Sequence, residues 1–241
     1  MEIVKNLGII LADTGRSNIY LSLLIEKGMC PDKIVFLRND SESLPGQLKQ
    51  QGSVQSILGH EVDTTTSVAE KISMLESEIV ISPTLDINSR EFVLFLEDLA
   101  QEYWIYSGYG GVILREDILA LNKKFLHVHG GYLPDYKGST CNFYSSLEKE
   151  FFGASAIFLD REIDAGPLLM RKKFPVPASQ LGFDYIYESV CRGDVLVSTL
   201  EYFLKNRVWP EVDADQSAGR TFYIIHPLLK HVVLDRFEGE V

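Results

Sequence analysis

The sequence predicts an α/β fold: a Rossmann-like, mostly parallel sheet with helices on both faces, followed by a C-terminal α/β extension. Short apolar runs alternate with helix-like stretches through the first two thirds of the chain, the rhythm of strand–helix–strand units. The runs are apolar throughout, as befits strands buried on both faces of a parallel sheet. With 241 residues, 46% of them hydrophobic, the chain can bury one full core.

Residues 7–12, 33–37, 78–82, 104–107 and 125–129 read as the buried strands. The segments 17–27, 68–76, 90–100 and 116–121 carry helical spacing or cap signals, with Ser17 as the expected N-cap of the first helix and Gly28 as its stop. The stretch 39–64 is polar and rich in Ser, Gln and Gly, and reads as an exposed connection of weak secondary structure. The turn Asp13-Thr14-Gly15-Arg16-Ser17 holds one glycine. It fits neither a G-x-G-x-x-G nor a P-loop pattern, so helix capping is the expected role of its polar side chains.

Beyond His129 the pattern changes. Residues 140–149 read as a helix, and 154–158 and 168–174 read as strands joined through a turn that holds Asp164. Residues 183–205 form an amphipathic segment with a helix, 207–220 a loop, and 221–241 a short strand and a helix with Pro227 in its first turn. His226, just before that proline, is expected to be structural. The expected division is a catalytic domain over 1–180 and an extension packed on it over 181–241.

Charge excludes several functions. Twenty-three Lys and Arg face 34 Asp and Glu, and the net charge of −11 repels a phosphate backbone. The longest basic cluster, Arg171-Lys172-Lys173, reads as a solvated strand end. No apolar run approaches the ~18 residues of a spanning helix, and Met1-Glu2-Ile3-Val4-Lys5 lacks a signal-peptide pattern. The expectation is a cytoplasmic protein that binds neither nucleic acid nor membrane. Cys30, Cys141 and Cys191 are odd in number and far apart, which argues for reduced thiols.

The chemistry concentrates between Phe125 and Met170. His127 and His129 sit one residue apart in an apolar strand, so both imidazoles point to one face. Gly130-Gly131 follows, backbone free to adopt positive φ where a strand end opens a site. Three uses fit the pair: strand residues with satisfied hydrogen bonds, metal ligands, or acyl transfer to an amine. H-x-H-G-G is similar to the first metal-binding strand of amidohydrolase barrels, yet only His226 and His231 follow as further histidines, so no metal is expected. Acyl transfer needs an oxyanion donor, a proton-handling group and an orienting carboxylate, which His127, His129 and Asp164 supply. Gly138-Ser139-Thr140 does not fit the G-x-S-x-G elbow of an activated serine.

The run His129-Gly130-Gly131-Tyr132-Leu133-Pro134-Asp135-Tyr136-Lys137-Gly138 resembles the N-x-H-P-S-L-L-P-x-Y-R-G signature of the folate-dependent formyltransferases. That family includes glycinamide ribonucleotide, methionyl-tRNA and nucleotide-sugar N-formyltransferases. Ile163-Asp164-Ala165-Gly166-Pro167-Leu168-Leu169 is similar to the family's I-D-x-G-P-I-L. Ser107-Gly108-Tyr109-Gly110-Gly111-Val112-Ile113-Leu114 resembles the preceding strand and loop, which borders the pterin pocket in the family. The three lie in family order within roughly residues 75–175.

The resemblance implies a formyl transfer from 10-formyltetrahydrofolate to the amine of a small molecule, a nucleotide-linked amino sugar or an amino acid derivative. It implies that His129 assists proton transfer, that Asp164 helps remove the amine proton, and that His127 stands where the family places an asparagine. Tyr109, Gly110, Gly111, Val112 and Ile163 then bind the donor, and Gly130, Gly131, Tyr132 and Asn142 the acceptor. Gly130 and Gly131 replace the usual Pro-Ser, and Lys137 replaces Arg. A tRNA acceptor is not expected from so acidic a chain with so little sequence after the core. Tyr202, Phe203, Trp209, Phe222 and Tyr223 are expected in core or homodimer packing, or in stacking on a nucleobase. The alternative is a formyltransferase fold without formyl transfer, as a folate- or nucleotide-binding module or a transferase using another acyl donor.

Overall fold

The computed structural model describes residues 1–38, 54–177, 186–215 and 217–236. The chain divides into two compact units, Met1–Leu126 and His127–Val241. The expected boundary at 180/181 falls outside the described residues.

In the first unit, β1 (Glu2–Ala12) is followed by α1 (Gly15–Glu26), β2 (Met29–Leu37), a hairpin of β3 (Val54–Ile57) and β4 (His60–Asp63), and α2 (Val68–Ser73). The series continues with β5 (Glu78–Ile81), α3 (Arg90–Glu97), β6 (Tyr103–Ser107), α4 (Glu116–Leu119) and the start of β7 (Lys124–His129). The sheet runs in parallel, with β1 between β2 and β6, β5 beside β2, and β7 beside β6. Its inner strands β1, β2 and β6 are buried on both faces: Ile9, Ile10, Leu11, Ile34, Val35, Trp104 and Ile105 are each no more than 1% exposed, which is why the sequence shows continuous apolar runs there; β5, at the edge, exposes Ile79 and Ile81. Gly8 is needed for space, because a Cβ there would lie 2.3 Å from the Trp104 ring.

Two local expectations are corrected here. The cap of α1 is Thr14, whose side chain accepts from Ser17 N, while Ser17 lies buried inside the helix and donates to Ser107 O. Residues 54–63 are not a featureless connection but an antiparallel hairpin; 39–53 lie outside the described residues. Gly28 does stop α1, at φ +64°.

The second unit contains the end of β7, then β8 (Tyr136–Gly138), α5 (Cys141–Lys149), β9 (Phe152–Phe158), β10 (Leu168–Phe174), α6 (Glu188–Asn206), β11 (Arg220–Phe222) and α7 (Pro227–Asp235). β9 lies beside β7 and pairs with β10 in antiparallel register. α6 packs on β9 and β10. His226 caps α7, its Nδ1 accepting from Leu228 N. Arg171-Lys172-Lys173 does lie near the end of β10 with Lys173 exposed, yet its side chains are engaged. Arg171 and Lys173 lie over the Tyr132 ring at 4.5 and 4.6 Å, and Lys172 turns to Asp194 at 2.7 Å. The three cysteines are free and buried.

Candidate active site

The end of β7 carries His127 and His129 on one face, as a period of two requires. His129 is 5% exposed, and both ring nitrogens meet acceptors. Nε2 lies 2.9 Å from Tyr136 O, and Nδ1 lies 3.3 Å from Asp164 Oδ1. Asp164 comes from the turn between β9 and β10, where it takes a left-handed backbone at φ +55°, a conformation that aspartate tolerates and most residues resist. Its second oxygen, Oδ2, accepts from Gly138 N at 2.8 Å. The turn also needs Gly166, since a Cβ there would lie 1.9 Å from Phe158 O.

The three-residue strand β8 therefore contacts both side chains: the Tyr136 carbonyl meets His129 and the Gly138 amide meets Asp164. Neither backbone group was assigned a role from the sequence, although both residues stand within the His129–Gly138 run. A motif reports side chains, and here the backbone makes the contact.

Gly130 and Gly131 are glycines for a different reason than expected. Neither has positive φ. A Cβ on Gly130 would lie 2.5 Å from Glu188 Oε1, and one on Gly131 would lie 2.6 Å from His129 Nε2, 2.7 Å from Tyr136 O and 2.8 Å from Cys141 Cβ. Close approach, not turn conformation, excludes a side chain at Gly131, while at Gly130 the neighbour is the movable end of Glu188. The loop is tied to β9 by Ser155, whose hydroxyl donates to Gly131 O at 2.7 Å and accepts from Leu133 N at 2.9 Å.

Asn142, in α5, is fully buried, and its Oδ1 accepts from Gly153 N at 2.7 Å. Burial, with the negative charges of Asp164 and Glu188, pushes the Cys141 thiol far up, so it stays protonated and is no nucleophile. Glu188 opens α6 and pairs with Arg192 at 3.3 Å, while Arg192 Nε donates to Val128 O at 2.8 Å. No motif in the sequence marks Glu188 or Arg192. Ile163, beside Asp164 in the chain, is 58% exposed.

The remaining sequence candidates belong to the first unit. Tyr109 donates its hydroxyl to Leu37 O at 3.3 Å, and burial, with the nearby Asp13 charge, raises its pKa. Gly110 and Gly111 have no heavy atom within 4 Å of an added Cβ, and Gly111 has φ +78°. Val112 is 40% exposed, and Tyr106 Oη donates to its carbonyl at 3.4 Å. This is an open loop with an apolar edge.

A family model described as formyl transferase matches residues 53–191, more than half of the chain. Methionyl-tRNA formyltransferase from Clostridium tetani is 22% identical over 199 residues, covering 77% of this chain and 64% of the relative. The protein of that name from Caldanaerobacter subterraneus is 24% identical over 165 residues, 66% of this chain and 52% of the relative. The chain thus spans about half to two thirds of these relatives' length. A sugar N-formyltransferase from Shewanella superposes with TM-score 0.58 at 15% identity, covering 98% of this chain and 89% of that one. Glycinamide ribonucleotide transformylase 1 from Symbiobacterium toebii gives 0.58 at 14%, with 86% and 93% covered. An N-formyltransferase from Helicobacter canadensis, solved with folinic acid and dTDP-3-aminofucose, gives 0.57 at 13%, with 90% and 70% covered. At these identities the likeness to solved structures is one of fold.

Proposed function

The chain belongs to the formyl transferase family, and from that premise we propose that it moves a formyl group from 10-formyltetrahydrofolate to the amine of a small molecule. The observation that carries the proposal is the His129–Asp164 pair, 3.3 Å apart, with each partner also held by β8. A neutral imidazole has one N–H and donates to one of the two acceptors around His129, whereas a ring with two N–H groups donates to both. Both ring nitrogens are thus set against fixed acceptors, which orients the imidazole for a proton-handling role.

The bound donor supplies an electrophilic formyl carbon that needs no enzyme nucleophile. Asp164 orients the imidazole and draws the proton from the attacking nitrogen, and His129 holds that proton for the departing amine. His127, on the same strand face, offers an N–H to the developing oxyanion. The open loop of Tyr109, Gly110, Gly111 and Val112 fits a flat heteroaromatic ring, with backbone polar groups at two glycines and an apolar side chain at its edge. We assign it to the pterin. Gly130, Gly131 and Tyr132 are assigned to the acceptor. Asn142 acts from the interior, through the backbone it fixes. A nucleotide-linked amino sugar is the acceptor class favoured by the fold likeness to sugar N-formyltransferases, one of them solved with dTDP-3-aminofucose.

Calorimetric titration with folinic acid, followed by a screen of amino sugars with 10-formyltetrahydrofolate, tests this. Micromolar, stoichiometric binding and a turnover that falls roughly 10²–10⁴-fold in Asp164→Ala are expected, the usual range for a lost proton-transfer group. No binding at millimolar ligand, or near-normal turnover in a folded Asp164→Ala protein, overturns it. The observation favouring the alternative, a fold turned away from formyl transfer, is the imidazole of His127 where the family has a carboxamide.

A further inference from the structure

The strand that contacts the reacting pair is itself held by a segment some eighty positions later. β11 runs parallel to β8, setting Arg220 against Tyr136, Thr221 against Lys137 and Phe222 against Gly138. Arg220 N donates to Asp135 O at 3.3 Å, and Ser139 N donates to Phe222 O at 2.8 Å. The Phe222 ring stacks on Tyr136, centroids 5.3 Å apart at 16°, and lies 4.5 Å from the Tyr144 ring. The Tyr136 hydroxyl donates to Glu148 Oε2 at 2.9 Å, and Arg220 grips both oxygens of the same carboxylate at 2.5 and 2.6 Å. Downstream, Tyr144 Oη donates to Tyr223 O at 3.2 Å and Ile225 N donates to Thr140 Oγ1 at 2.9 Å.

The contact at Gly138 is the closest. A Cβ there would lie 2.1 Å from Phe222 O, and the residue has φ +94°. The β11 backbone thus rests on the glycine whose N–H holds Asp164. At Tyr136 the division is equally direct: the ring is packed by Phe222 and the carbonyl faces His129. A strand of three residues has too few contacts of its own to stay in place, and two-stranded pairs are marginal without packing. Side-chain packing from β11 supplies what β8 lacks.

We propose that Phe222 is a positioning residue: it fixes β8, and through Tyr136 O and Gly138 N it sets the geometry between His129 and Asp164. The inference rests on formyl transfer as the reaction of that pair. Phe222 is linked to His129 and Asp164 through the β8 backbone, so its loss is expected to act on the chemical step more than on acceptor binding.

The test compares Phe222→Ala with Phe222→Tyr in the full chain. It measures kcat and KM for formyl transfer and the imidazole ¹⁵N resonances of His129, assigned through their loss in His129→Gln. Phe222→Ala is expected to lower kcat roughly 10- to 100-fold, the range of a ~1 Å misplacement, with KM within about twofold and the His129 resonances shifted. Phe222→Tyr, which keeps the stacked ring, is expected to restore both. Arg220→Ala removes a largely exposed side chain and must shift the same resonances in the same direction, so the proposal stays testable if Phe222→Ala does not fold. A folded Phe222→Ala protein with wild-type kcat and unmoved resonances overturns it, as do unmoved resonances in Arg220→Ala. A wild-type protein without formyl transfer would sink the function instead, and the resonances would still report whether β11 sets the geometry.

Discussion

His127 is the residue on which the proposed chemistry turns. A carboxamide presents two N–H donors on a short stem, whereas an imidazole presents one donor when neutral and two when charged, on a longer and stiffer ring. Its neighbours show that the departure extends into the loop. Of Gly130 and Gly131, which replace the usual Pro-Ser, Gly131 is demanded by a close approach to His129, the Tyr136 carbonyl and Cys141, whereas a side chain at Gly130 would have to displace only the Glu188 carboxylate. A serine at position 131 would collide with the present arrangement, so the loop has been rebuilt around that glycine. If that rebuilding serves the imidazole, His127→Asn should lower kcat by at least roughly tenfold, because the shorter carboxamide would place its donor away from the oxyanion, with folinic acid affinity unchanged. A rise in kcat would show instead that the histidine impairs a reaction the asparagine performs, and would favour the repurposed fold.

Elements were legible in the sequence where packing alone decides them. β10 occupies 168–174 as its apolar pattern indicates, and β7 keeps the two-residue period that pairs the histidines. Elements decided by hydrogen bonds were not legible. β8 is too short for any period, and β3 and β4 carry polar residues. Thr14 and Ser17 are both good caps, and only the burial of Ser17 separates them. Within the site, His129 and Asp164 were readable from the motifs, but the left-handed turn that lifts Asp164 towards β7 and the backbone groups that meet the pair were not. The turn after β4 shows the same hydrogen-bond logic and yields a pH prediction. The Asp63 carboxylate accepts from the side chains of Thr65 and Thr66, both at 2.5 Å, and from the Thr65 amide at 2.7 Å. These bonds hold its pKa far below the ordinary 3.8. A carboxylate depressed in the folded state contributes stability that is complete above the unfolded value and is lost as pH falls towards the folded one. Asp63→Ala should therefore lower the thermal midpoint at pH 7, and the gap to the wild type should narrow below about pH 4. A gap that is constant from pH 7 to pH 3 would show that the charge of Asp63 plays no part.

At the scale of the whole molecule, charge separates acceptor classes that share one reaction. The curated relatives reported above are named for methionyl-tRNA, yet this chain carries a net charge of −11. A nucleic-acid surface needs several cations free to displace counterions, because each neutralised phosphate contributes separately to affinity and to its salt dependence. The three-residue basic cluster cannot serve that purpose. Lys172 is engaged by Asp194 and by Ser198, Arg171 donates to Leu133 O at 2.5 Å, and Lys173 lies over Tyr132 and Phe151. Moving these side chains onto phosphates would give up contacts that order the loop after His129. A nucleotide-linked amino sugar makes a far smaller demand, since it brings one diphosphate and not a phosphate backbone, and its ammonium offsets part of that charge. Deacylated tRNA at tens of micromolar, in roughly 0.15 M salt where the screening length is about 8 Å, is therefore expected neither to bind in a filter assay nor to slow formyl transfer to a small amine. Micromolar tRNA binding, with log affinity falling linearly with log salt concentration, would mean that a cationic surface does form, and the acceptor would then have to be sought among nucleic acids.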